Sequence, residues 1–146
     1  MGVACAAYSW SLLTALGVFG AAQLPAPGAA ASAYEYSSGH VTGGGQILKS
    51  VTFGLEANAG TNGVDGTCNV VEKKRQILCR TVTSLVVVGN HATFSGEASD
   101  NGVVTTYTID VDDLSESGRG SDKFSITTAT GYSRSGVLTT GNIQIH

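Results

Sequence analysis

Charge is the scarcest commodity in this chain. Only 13% of its 146 residues are Asp, Glu, Lys or Arg, and the first 34 positions carry none; the first is Glu35. With a formal net charge of −3 and no basic cluster beyond Lys73-Lys74-Arg75, nothing marks a nucleic-acid partner or an anionic membrane surface. Proline occurs twice, at Pro25 and Pro27, and tryptophan once, at Trp10. The remainder therefore lacks both helix-breaking punctuation and an indole for a sugar-stacking cleft. No N-x-[ST] sequon occurs. The run Gly43-Gly44-Gly45 lacks the GK[ST] of a phosphate loop, and no serine sits in a GxSxG elbow. Beyond residue 34, no stretch shows a 3.6-residue apolar repeat with helix caps.

The uncharged N-terminus has a pattern of its own. "SLLTALGVFGAA" (11–22) is an apolar run of signal-peptide length, followed by "LPAPG" (24–28) and "AAASA" (29–33). Ala31-Ser32-Ala33 is a small-x-small site, so residues 1–33 are expected to be a secretory signal cleaved before Tyr34. The segment before the apolar run has no Lys or Arg, which leaves a start upstream of Met1 or a weak signal. The polar residues Ser9, Ser11, Thr14 and Gln23, and then two prolines, interrupt any run of about 20 apolar residues that a membrane anchor would need. Cleavage would leave 34–146 as one all-β domain, secreted and without a membrane span.

Of three cysteines, Cys5 leaves with the signal and Cys68 and Cys79 remain. "CNVVEKKRQILC" reads as a hairpin turning at Lys73-Lys74, which places residue i opposite 147 − i and Cys68 opposite Cys79. Opposed antiparallel positions lie within disulfide reach, and an exported chain meets an oxidising compartment. A disulfide is expected. Two thiols without CxxC or paired histidines fall short of a zinc site.

Alternation with period two then dominates. Val51, Phe53, Leu55 and Ala57 share one face, as do Val103, Thr105, Tyr107, Ile109 and Val111; Phe124 with Ile126, and Ile143 with Ile145, repeat the pattern. Turn chemistry marks Gly89-Asn90, 99–102 and 139–142, while 59–66 reads as a glycine-rich loop and 34–47 as an extended lead-in with a glycine run. The fold class is all-β, a single antiparallel β-sandwich or partly closed barrel of about eight to ten short strands.

Six segments, "VTGGGQI", "VTFGLEA", "VVVGNHATFSGEA", "TYTIDVDD", "GRGSDKFSI" and "GYSRSGVLTTGNIQIH", occur in an order that resembles the post-COAP domain family. That family comprises small secreted bacterial β-domains, frequent in actinobacteria and named for following a choice-of-anchor module. The resemblance covers roughly 40–146. It implies an exported β fold and carries no activity, ligand or site residue to transfer; the chain departs from the family's usual context by showing no anchor module, so a free-standing version is expected.

The acid-rich stretch "DVDDLSESGRGSDKF" (110–124) is the main candidate site. Asp110, Asp112, Asp113, Glu116 and Asp122 could supply oxygens to calcium. An EF-hand counted from Asp110 would need glycine and glutamate where Ser115 and Ser121 stand, so that motif is absent. The preferred reading is a polar loop between two strands, held by turns and by Arg119 against one of the carboxylates. Lys73-Lys74-Arg75 reads as a solvated hairpin tip, and His91 as an exposed strand residue. No catalytic or cofactor-binding residue is assigned. The function expected is a secreted binding or structural module with an extracellular or cell-surface partner. The alternatives are a small hydrolase, or an inhibitor or partner-binding module using 59–66 or 110–122.

Overall fold

The computed structural model describes residues 38–146, so the expected signal segment 1–33, the expected cleavage site before Tyr34 and Cys5 lie outside the described residues. Among the described residues, nine strands follow in order. They are β1 (Gly39–Ile47), β2 (Val51–Gly60), β3 (Gly63–Glu72), β4 (Arg75–Cys79), β5 (Ser84–Val88), β6 (His91–Asp100), β7 (Val103–Asp112), β8 (Lys123–Thr128) and β9 (Ser133–Ile145). Each pairs antiparallel with its neighbour. β1 returns to β9, and β4 pairs with β6, so the sheet closes into a ring of eight strands with β5 as an extra. Of sandwich and barrel, the structure is an up-and-down barrel. Closure removes most sheet edges, which an open sheet would leave exposed to pairing with other chains.

The alternation read from sequence sets the two faces. Phe53, Leu55, Ala57, Tyr107, Ile109, Phe124 and Ile126 all point into the lumen and are buried. Thr52, Glu56, Thr106 and Thr108 point outward and are exposed. This is the reverse of a lipid-embedded barrel, whose outward band is apolar. The lumen is filled rather than hollow. The Phe53 and Phe124 rings stack at 4.0 Å between centroids, and Phe94 meets Tyr107 edge-on at 6.2 Å. Eight strands enclose a space that side chains can just fill, and here they do.

At three places the chain departs from its sequence pattern. The glycine run 43–45 is no flexible lead-in but the middle of β1, paired on both sides. A Cβ on Gly45 would overlap the Thr140 carbonyl, and one on Gly141 the Gly44 carbonyl, so the two backbones meet where no side chain fits. Residues 139–142 are accordingly not a turn; they lie within β9, which shifts register against β1 at Gln46/Ile47. Residues 59–66 are not a loop either. Gly60 pairs with Gly63 across a two-residue turn, so the segment is the end of β2 and the start of β3.

β5 does not continue the wall. It is hydrogen-bonded to β6, yet it also packs near β1 and β2, on the opposite side of the ring. A Val87 methyl group lies against Gly39 at the start of β1, and Leu85 is fully buried. β5 therefore lies across the barrel mouth formed by the β2–β3 turn, the β7–β8 loop and the C-terminus.

The hairpin register is the one expected. Val70 faces Ile77 and Asn69 faces Leu78, and the next pair, Cys68 and Cys79, is bonded with Cα atoms 4.8 Å apart. Both sulfurs lie in the lumen lining, at the point where β3 and β4 part. The double variant Cys68→Ser/Cys79→Ser should lose on the order of 3 kcal/mol by the chain-entropy model. Denaturant unfolding with and without reductant measures this, and equal midpoints for the two proteins would show that the bond adds nothing.

Candidate functional site

The five carboxylates of the acid-rich segment go to four different places. Asp110 and Asp112 sit on the outer wall of β7, opposite Thr93 and His91 of β6. His91 Nδ1 lies 2.7 Å from Asp112 Oδ1 and its Nε2 lies 3.2 Å from Thr93 Oγ1, which donates to Asp110 Oδ1 at 2.6 Å. Asp113 accepts from the Ile145 N–H of β9 at 3.1 Å. Asp122 is fully buried. Its Oδ1 accepts from the Leu114 and Ser115 amides at 2.9 and 3.1 Å, and its Oδ2 from the Ile143 amide at 2.9 Å. Glu116 projects into solvent. Among the described residues, no three His, Cys, Asp or Glu side chains gather as a metal site would require.

The loop is held, though not in the expected way. Arg119 makes no ion pair among the described residues; its amide instead donates to the Ser117 carbonyl at 2.6 Å. The brace is Asp122, which ties the loop's first turn to β9 through three backbone donors. A buried carboxylate accepting three N–H groups has its acceptor capacity satisfied without any cation.

On the wall, Asp112, His91 and Thr93 line up in the sense of an acid–base–hydroxyl relay. The arrangement follows from strand pairing, since neighbours directly opposite or two positions apart share a face. Thr93 commits its proton to Asp110, so the hydroxyl is not presented to His91 for removal.

The second cluster was illegible in sequence. It closes the mouth opposite β5. Arg75 donates from Nε to Asp100 Oδ1 at 2.9 Å and also pairs through Nη2, while Arg134 donates from Nε to Glu72 Oε1 at 3.1 Å and its Nη2 forms an ion pair with Oε2 at 2.8 Å. Both guanidinium carbons lie over the Tyr132 ring, at 4.8 and 4.9 Å from its centroid. Thr130 adds a hydroxyl bond to Asp100. Arg75, expected in a solvated tip, is thus half of a bidentate pair with a buried carboxylate. The signal was absent because Glu72, Asp100 and Tyr132 converge only when three separate turns meet.

These pairs set the charges. The Arg75 hydrogen bonds hold the Asp100 carboxyl below its ordinary value of 3.8, and Arg134 does the same for Glu72 against 4.5, in each case over the opposing cost of desolvation. Burial and then the Glu72 carboxylate push the Tyr132 phenol up; its hydroxyl makes no hydrogen bond of good geometry. Tyr107, buried in the lumen, is pushed up to about 12 by desolvation and donates to the Thr81 carbonyl at 3.0 Å.

A third feature is an interruption of the wall. β3 pairs with β2 over its whole length but with β4 only from Asn69 onward. After Cys79 the chain turns inward. The Arg80 and Thr81 amides both donate to the Glu97 carbonyl, and the Thr81 carbonyl occupies the space where a Cβ on Gly96 would stand. An open cleft of about 410 Å³ remains between Val64, Asp65 and Gly66 on one side and Arg80, Thr81 and Thr83 on the other. Its inner side is closed by Val82, whose side chain lies under Gly66.

Asp122→Ala should cost about 3 kcal/mol through three stranded amides, and speed hydrogen exchange at Leu114, Ser115 and Ile143. Glu116→Gln should stay within about 0.5 kcal/mol, and millimolar calcium should leave the wild-type melting curve unmoved. A calcium-dependent rise in melting temperature would overturn the loop-brace account.

A pH prediction follows from the two arginine pairs. Lowered carboxylate pKa values contribute stability that is fully present above 4.5 and is lost as pH falls through the folded-state values, which lie below 3.8 and 4.5. Unfolding midpoints measured from about pH 6 down to about pH 2 should therefore decline, and Arg75→Met should flatten the decline. An unchanged slope in that variant would show that the Asp100 pair is not its source.

Compared with protein-family models, with curated proteins and with solved structures, the chain finds a match in none of the three.

Proposed function

We propose that this chain is an exported β-barrel that works by binding or structural association at or outside the cell surface, and not by catalysis. The post-COAP domains that its motifs resemble are its proposed relatives, and a protein or cell-surface component is its proposed partner. The observation that carries this reading is the filled lumen. With the Phe53–Phe124 stack inside, β5 across one mouth and the Tyr132 cluster in the other, recognition falls to the outer wall and the turns.

The wall's composition supports a protein partner over a sugar or a nucleic acid. All five Phe and Tyr side chains among the described residues are buried, so the wall offers no aromatic platform for stacking a sugar ring or a base. The paired Cys68 and Cys79 and the lack, among the described residues, of any helix long and apolar enough to cross a membrane fit an extracellular location. Calcium has no part in this reading, because four of the five carboxylates that would bind it are bonded at three separate places and Glu116 projects into solvent.

A hydrolytic reading has one observation in its favour, the alignment of Asp112, His91 and Thr93. The 2.6 Å bond from Thr93 to Asp110 argues against it. A segment-based inhibitor would use 59–66 or 110–122. The first lies beside the cleft in the wall, while the second is braced against β9.

Mass spectrometry of the protein in culture medium tests the export half of the proposal. The product should begin at Tyr34 and weigh two hydrogens less than the reduced chain. A product that stays in the cell with free thiols would overturn it.

A further inference from the structure

We propose that the unzipped half of the β3–β4 seam is a docking edge for an extended peptide segment of a partner protein, which joins the barrel as an added strand. This deepens the binding reading above and names the surface that would serve it.

Two turns set the hydrogen-bonding direction along β3. Gly60 and Gly63 flank a two-residue turn, as do Glu72 and Arg75. In such hairpins the flanking pair exchanges both backbone bonds, and the bonding direction then alternates along the strand. From the first turn, residues 63, 65, 67, 69 and 71 of β3 direct their N–H and C=O groups toward β2. From the second, residues 68, 70 and 72 direct theirs toward β4. The two turns agree. Val64 and Gly66 must then direct their backbone groups across the seam, where β4 is no longer present.

Among the described residues, nothing fills those positions. Among the described residues, no hydrogen bond reaches the N–H or C=O of Val64 or Gly66 from the seam side, because the segment opposite bonds to β6 through Arg80, Thr81 and Thr83. Four main-chain groups thus line one side of a cleft of about 410 Å³, a volume within the range of ligand sites. Residues two apart on a strand repeat at about 6.8 Å. A ligand that satisfies both pairs must carry donors and acceptors at that same repeat, which is the property of an extended polypeptide.

Charge selects which polypeptide. Asp65, between the two seam-facing residues, points outward and is exposed, and Arg80 is exposed on the opposite rim. Neither has an ion-pair partner among the described residues, so both charges are free to meet a ligand. The fitting segment therefore places a lysine or arginine against Asp65 and an aspartate or glutamate against Arg80. Its inward side chains are small, since Val82 closes the floor.

The test uses the folded full-length secreted chain and two capped seven-residue peptides of valine and threonine. One carries lysine and glutamate at the positions that meet Asp65 and Arg80, and the other has the two exchanged. Amide hydrogen exchange at Val64 and Gly66 should be fast in the free protein. It should slow at least tenfold with millimolar first peptide, and less with the second. Val64→Pro removes a seam-facing N–H without touching a bond to β2, and should weaken binding at least tenfold. Asp65→Lys, an outer-wall change that leaves the fold intact, should reverse the preference between the peptides. Unaltered exchange with both peptides would overturn the proposal. So would protection that rises with protein concentration alone, which would make a second copy the occupant. Either result leaves the export test above unaffected, so the two readings fail separately.

Discussion

Closure of the ring between β1 and β9 is the constraint on which the rest of this structure depends. The first and last strands must pair although about a hundred residues of chain separate them, and a long loop of that kind delays closure more than it weakens the closed state. The contact is made by backbone against backbone, with Gly43, Gly44 and Gly45 opposite Ile143, Asn142 and Gly141. Side chains at Gly45 or Gly141 would collide with carbonyls of the facing strand. Glycine there trades strand propensity for an approach that no other residue allows. Backbone bonds between His40 and His146 extend the same seam to the C-terminal residue.

Once closed, the ring leaves little freedom inside. Eight short strands of alternating sequence deliver one apolar side chain at every second position, and the enclosed space is consumed by Phe53, Phe94, Phe124 and the aliphatic residues between them. The two mouths are then finished by different chemistry. One is crossed by the apolar strand β5. The other is sealed by two arginine–carboxylate pairs over Tyr132, where the charges remain near solvent and each guanidinium also contacts an aromatic face. The contrast has a plain cause. A strand can cross a mouth only where the wall has released it, and the wall releases the chain only after Cys79.

That release also explains the single unzipped stretch of seam. The disulfide stands one position past the last pair of β3 and β4, and beyond it the chain dives toward Gly96, leaving Val64 and Gly66 without a strand on that side. Covalent pinning, the inward turn and the free edge are three consequences of one departure from the regular meander. The acid-rich segment is, by comparison, conservative. Its buried member Asp122 substitutes for a missing strand neighbour at Ile143, and its wall members join a row of side-chain hydrogen bonds with His91 and Thr93.

The sequence by itself determined the all-β class, the inward set of each regular strand, the hairpin at Lys73-Lys74 and the opposition of Cys68 to Cys79. These depend on period-two alternation and on turn geometry, which are local and act within a dozen residues. It did not disclose whether nine strands form two layers or one ring, because closure depends on contacts between the chain's two ends. It misplaced 43–45, 59–66 and 139–142 as flexible or turning, since glycine that permits a turn and glycine that permits close approach look the same in one dimension. Tertiary structure alone decided that Arg75 would meet Asp100 and Tyr132, that Asp122 rather than Arg119 would hold the acidic loop, and that Val64 and Gly66 would face no strand on the β4 side. Each of those outcomes is a meeting of residues distant in the chain, and no pattern along the chain records what will stand opposite.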